Sequence, residues 1–129
     1  WDGRAPIEPL LNALAIDPGV DAATIALVRK RLAKVTKSKT FQRITSAETL
    51  GRELSLLTPN GERRIDRFLR KDGKDLIVDY KSGQPSASRI DRDKEQVASY
   101  CQAMSAITGR ACDGLLWYID VDVDQAIEV

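Results

Sequence analysis

The run Ile77-Val78-Asp79-Tyr80-Lys81 places an aspartate and a lysine two residues apart inside an apolar segment. In a strand, alternation turns Ile77, Asp79 and Lys81 to one face and Val78 and Tyr80 to the other. A second carboxylate joins them if the chain folds back at Asp72-Gly73, a strong two-residue hairpin signal. Lys71 then pairs with Lys74, and Asp66 falls opposite Asp79 with Cβ atoms about 5 Å apart. Two like charges so placed destabilise a sheet. A shared proton, a cation from the chain or a bound metal ion would relieve them. Hard carboxylate oxygens suit Mg²⁺ or Mn²⁺, which need only one or two carboxylates together with water and substrate phosphate. The purely structural alternative is neutralisation by Lys81, Arg64 and Arg67. Asn60-Gly61 is a second hairpin signal. With Pro59 opposite Glu62, Ser55 faces Asp66 and Glu53 faces Phe68, which puts Glu53 on the carboxylate face one diagonal step away.

The absence of histidine from these 129 residues removes imidazole acid–base chemistry, Ser-His-Asp triads and histidine metal ligands. Cys101 and Cys112 have neither metal-ligand nor disulfide spacing. They read as reduced thiols of a cytoplasmic protein, with Cys101 in the core. No apolar run of about 18 residues and no signal-peptide pattern occurs, so no membrane partner is expected. At 43% hydrophobic and 30% charged, the chain reads as a single globular domain. Its net charge of +1 hides an asymmetry. Residues 22–47 contain no acid but carry Arg29, Lys30, Arg31, Lys34, Lys37, Lys39 and Arg43, whereas Asp120, Asp122, Asp124 and Glu128 gather at the C-terminus. Such a basic stretch fits either a polyanion partner or a solvated helix face.

The elements that must carry these residues follow from periodicity. Residues 5–16 read as a short helix or irregular apolar segment. Asp21 caps a helix whose Ile25, Val28, Leu32 and Val35 repeat at helical spacing. Residues 36–47 read as a polar connection. Residues 51–57, 62–70 and 75–81 form an antiparallel meander. Residues 92–109 form a helix with Val97, Cys101, Met104 and Ile107 or Thr108 inward and Gly109 at its C-cap. Residues 112–120 are a final apolar strand. The order α-β-β-β-α-β implies an α/β fold with a mixed sheet flanked by helices.

The ordered set Gly61…Asp66, Asp79-Tyr80-Lys81-Ser82-Gly83 and Gln96…Tyr100 resembles the RecB/AddA-type nuclease domain of the PD-(D/E)xK superfamily. The segment Gly114-Leu115-Leu116-Trp117-Tyr118-Ile119-Asp120 is similar to the strand that follows in AddA-like C-termini. The likeness covers about residues 50–120. A D-x-K triplet alone would be uninformative, but the full ordered set is specific. The resemblance implies a restriction-endonuclease-like core. It implies that Asp66 and Asp79, with the backbone carbonyl of Tyr80, hold Mg²⁺ or Mn²⁺. Lys81 would orient or activate the attacking water, and Gln96 and Tyr100 would position water or the DNA backbone. Glu53 matches a glutamate that often opens the first strand in the family, as a ligand or behind one. Relatives usually carry a metal-binding histidine on an upstream helix, which this sequence lacks. With a start at Trp1, the expectation is a piece of a longer protein. The four-cysteine iron–sulfur set of some relatives is also missing, so no cluster is expected.

The function expected from this resemblance is a metal-dependent DNA nuclease, of exonuclease type. It would act in double-strand-break repair as part of a helicase–nuclease, with a parent helicase domain or partner subunit. Single-stranded DNA or duplex ends would be the substrate. Arg29, Lys30, Lys34, Lys37, Lys39 and Arg43 are the candidate contacts to the DNA backbone. Two other readings are a catalytically inactive nucleic-acid-binding or scaffolding domain, and a Mg²⁺-dependent phosphohydrolase of nucleotides.

Overall fold

A computed structural model describes residues 8–58, 61–120 and 124–129. Helices α1 (Glu8–Ile16), α2 (Ala22–Val35) and α3 (Lys39–Thr45) precede strands β1 (Glu48–Thr58), β2 (Gly61–Lys71) and β3 (Lys74–Lys81). Helix α4 (Ala87–Thr108) and strands β4 (Cys112–Ile119) and β5 (Asp124–Glu128) complete the chain. Two compact units divide it, residues 1–45 and 46–129.

In the first unit, Asp21 caps α2 by accepting from the Thr24 N–H at 2.7 Å, as its position before the apolar period requires. Helix α3 falls within residues 36–47, where the sequence suggested only a polar connection. The Ser38 hydroxyl accepts from the Phe41 N–H at 3.1 Å, a cap that starts this short helix. Seven residues are too few for a period to be legible, and that is why the element was missed.

The second unit is a five-stranded sheet in the order β1-β2-β3-β4-β5, antiparallel except for β3 with β4. This α/β architecture matches the mixed sheet expected, with β5 as an added edge strand. The Asp72-Gly73 turn closes β2 on β3 as predicted. Lys71 pairs with Lys74, and the ladder runs to Arg67 opposite Val78. Both turn residues have positive φ, which a type I′ turn demands.

The β1–β2 register differs from expectation by two residues. Thr58 pairs with Gly61 and Ser55 with Arg64, and Gly51 rather than Glu53 lies opposite Phe68. Turn preference explains the shift, because Pro is favoured at the first central position of a β-turn and Gly at the fourth. Pro59 and Asn60 themselves lie outside the described residues. A second irregularity follows. Glu53 has φ +51°, and no pair forms between Arg52↔Arg67 and Leu54↔Ile65. Ile65 and Phe68, three apart on β2, both join the core, and the ladder's register shifts between Thr49 and Gly51.

Helix α4 covers one sheet face. Val97, Tyr100, Cys101 and Met104 recur at helical spacing and pack with Phe68, Ile77, Leu116 and Tyr118. Ile107, expected inward, is two-thirds exposed, and the buried stripe ends at Met104. Gly109 caps the helix in the left-handed conformation. At Gly114 the helix comes so close to β4 that a Cβ would sit 2.6 Å from Val97 Cγ1. The β3-α4-β4 crossover runs α4 back along the two parallel strands, so that Asp93 and Gln96 of its N-terminal half meet Tyr118 and Lys81 at the strands' C-terminal ends, where the expected site lies.

Candidate active site

Asp66 stands one step beyond the last β2–β3 ladder pair. Its carboxylate takes over from the backbone there, and Oδ2 accepts from the Tyr80 N–H at 2.8 Å. Asp79 is buried on the neighbouring strand. Lys81 Nζ lies 2.7 Å from Asp79 Oδ2 and donates to Gln96 Oε1 at 3.0 Å. An ammonium has only donors, so the Gln96 oxygen faces it and the Gln96 NH₂ is left to donate to the Tyr100 hydroxyl. Asp79, Lys81, Gln96 and Tyr100 therefore form one polar chain from β3 to α4. Gly83, at φ +82°, lets the backbone turn away immediately after Lys81.

Burial pushes the Asp79 carboxyl above its ordinary value. Lys81 pulls it down, and the negative charges of Asp66 and Asp93 push it up again. The effect of Asp66 on Asp79 places the two acids within electrostatic reach of each other. Asp79 Oδ2 is buried and, beyond its ion pair with Lys81, has no aligned hydrogen-bond donor. The arginines offered as structural compensation are occupied elsewhere. Arg64 pairs with Glu53 at 2.7 Å, and Arg67 donates to Thr49 Oγ1 at 3.0 Å.

Glu53 has a left-handed backbone, and its carboxylate forms an exposed ion pair with Arg64. The basic residues Arg29, Lys30 and Lys34 lie on α2, Lys37 between α2 and α3, and Lys39 and Arg43 on α3, all within the first unit. Arg29 is paired there with Glu8 at 3.0 Å.

Sequence reasoning overlooked Asp93, a buried acid on α4 whose Oδ2 accepts from the Tyr118 hydroxyl at 2.7 Å. Its place three residues before Gln96, on the same helix face, is the signal that could have found it. A cleft of about 420 Å³ opens beside these residues, with Arg63, Arg92, Asp93, Glu95 and Gln96 in its wall.

The family model of the PD-(D/E)XK nuclease superfamily matches residues 11–127. The chain belongs to that superfamily. No curated protein matches it. Among solved structures, a protein from Eubacterium rectale, which its name proposes to be an exonuclease, superposes with a TM-score of 0.61 at 15% identity, over 95% of this chain and 51% of its own. The structure of SSO0001 gives a TM-score of 0.46 at 19% identity, over 95% of this chain and 59% of its own. The chain thus spans about half the length of the Eubacterium rectale protein, and that likeness is one of fold.

Nucleases of this superfamily usually use divalent metals, and the donors here fit one. Asp79 offers a buried carboxylate whose Oδ2 is held by Lys81 at 2.7 Å, and Asp66 a half-buried carboxylate at the end of the ladder. Both are hard oxygen ligands. Among the described residues no three acidic or thiol side chains converge. The chain's share would be two carboxylates and backbone, with water and phosphate completing the shell, a division that Mg²⁺ and Mn²⁺ favour.

Proposed function

We propose that the chain is a metal-dependent deoxyribonuclease domain that hydrolyses the phosphodiester backbone, of the RecB/AddA exonuclease type. Asp66, Asp79 and the Tyr80 carbonyl would hold Mg²⁺ or Mn²⁺. The chemistry such an ion supplies when bound is Lewis-acid activation of water and of the scissile phosphate. Lys81 presents a compact positive charge for the attacked phosphate and orients the water beside it. Gln96 fixes that ammonium from the helix, and Tyr100 fixes Gln96. In the adjoining cleft, Arg63 and Arg92 stand among Asp93, Glu95 and Gln96, and the two guanidinium groups are its candidate phosphate contacts. The basic residues of α2 and α3, from Arg29 to Arg43, are a second candidate contact to the DNA backbone. Work at broken DNA ends, within a helicase–nuclease and beside a partner subunit, is the setting that this site type suits.

The observation that carries the proposal is the Asp79–Lys81–Gln96–Tyr100 chain beside Asp66, which a solvated ion pair would not need. Labelled single-stranded DNA and duplex DNA, incubated with Mg²⁺ or Mn²⁺, test it. Cleavage should require the ion and fall about 10²–10³-fold or more in Asp79→Ala. Ion-independent binding without cleavage, unchanged in Asp79→Ala, would instead support the inactive domain. Turnover confined to mononucleotides would support the phosphohydrolase.

A further inference from the structure

Behind the site runs a second polar cluster that the proposed cleavage does not use. Tyr118 is fully buried on β4, and its hydroxyl donates to Asp93 Oδ2 at 2.7 Å. Arg89 Nε stands 3.5 Å from the same oxygen. The Arg89 guanidinium lies over the Tyr118 ring, 5.6 Å from its centre. Its Nη2 donates to the Ser82 carbonyl at 2.8 Å, one residue past Lys81. Burial first, and then the bond to Asp93, push the Tyr118 hydroxyl up to about 12, so it stays protonated and donating.

The register gives this cluster a meaning. Lys81 and Tyr118 are direct partners on the parallel strands β3 and β4. Asp93 and Gln96 are three apart on α4 and share a helix face. Two polar bonds therefore cross side by side from sheet to helix, Lys81 to Gln96 and Tyr118 to Asp93. The first depends on a four-carbon side chain with many rotamers, which cannot by itself fix a helix. The second joins a rigid buried ring to a buried carboxylate. Arg89 adds a tie from that carboxylate to the backbone that follows Lys81.

We propose that Arg89, Asp93 and Tyr118 are positioning residues that lock α4 against the ends of β3 and β4, and so keep Gln96 on the Lys81 ammonium. The inference rests on the nuclease reading for its effect on catalysis, though not for its effect on Gln96. Loss of the lock leaves Lys81 its bond to Asp79 but lets its second tether wander.

Tyr118→Phe tests this, because it keeps the ring and leaves Asp93 its arginine. Metal-dependent DNA cleavage should lose kcat roughly ten- to a hundredfold with KM little changed. In a Gln96→Ala background the same substitution should cost little more, since the lock acts through Gln96. Losses that multiply would mean a merely structural role and overturn the proposal. A second readout needs no activity. The Gln96 side-chain amide NMR signals of the metal-free chain, identified by their absence in Gln96→Ala, should shift or broaden in Tyr118→Phe. If they stay in place, the lock does not act on Gln96. Failure of the wild-type chain to cleave DNA would remove the nuclease reading, and the amide signals would still decide the positioning claim. Should Tyr118→Phe not fold, Arg89→Lys keeps the charge but gives up the fork that reaches both Ser82 and Asp93. It should move the same amide signals in part, and unmoved signals would count against the lock.

Discussion

Two buried aspartates on β3 sit in opposite electrostatic surroundings. Asp75 and Asp79 are both buried and lie four residues apart on one strand. Asp75 meets two guanidinium groups, Arg70 at 2.7 Å and Arg110 at 3.3 Å. The bond to Arg70 holds its carboxyl below the usual range against the cost of burial. Asp79 has one ammonium and two acidic neighbours, and burial lifts it. An acid lifted by burial beside a lysine is what the proposed site asks of Asp79. The stability consequences have opposite signs. A depressed folded value means that ionised Asp75 stabilises the fold above its ordinary value of 3.8, and that this contribution is lost as pH falls through the folded value. Asp75→Asn should therefore cost about 1.5–3 kcal/mol at pH 7 and flatten the decline in stability below 3.8. Asp79→Asn should keep or raise stability at pH 7, because the ionised form is the one burial disfavours. Denaturant titrations across pH check both. Residue type and hairpin spacing drew out Asp66, Asp79 and Lys81 without coordinates, and the family resemblance added Gln96 and Tyr100. Nothing in the sequence signalled the positive φ at Glu53 or the exposed ion pair that Glu53 makes with Arg64. Asp93 stayed hidden because its partner Tyr118 is 25 residues away.

At the scale of elements, the site depends on how closely α4 meets the parallel pair β3–β4. Gly114, early in β4 and opposite Ile77, allows the close approach of the middle of α4. A Cβ there would come within 2.6 Å of Val97 and 3.1 Å of Cys101 Sγ. Gly114→Ala should cost about 1–3 kcal/mol by overpacking, measured by chemical denaturation. A stability unchanged by the added methyl would mean that α4 can lift from β4 freely. The elements near the site were the legible ones. Asp72-Gly73 fixes a register through required backbone angles, and α4 has a long apolar period. The misread ones obey weaker rules. The β1–β2 register turned on which two of four turn residues form the loop. Helix α3 is too short to show a period, and β5 has only five residues, with acids at both ends.

For the whole molecule, family membership and fold rest on nearly the entire sequence, residues 11–127. The two compact units differ in what they offer. The second holds the carboxylates, the lysine and the cleft, and the first holds the basic residues of α2 and α3. No helix among the described residues is long and apolar enough to cross a membrane. The central claim is that Asp66 and Asp79 together take up one divalent ion. Calorimetric titration of Mn²⁺ into the wild-type chain, Asp66→Asn and Asp79→Asn measures this directly. One ion per chain is predicted, with affinity reduced at least about tenfold by either substitution. An uptake of Mn²⁺ indifferent to both substitutions, or no uptake at all, would contradict the account.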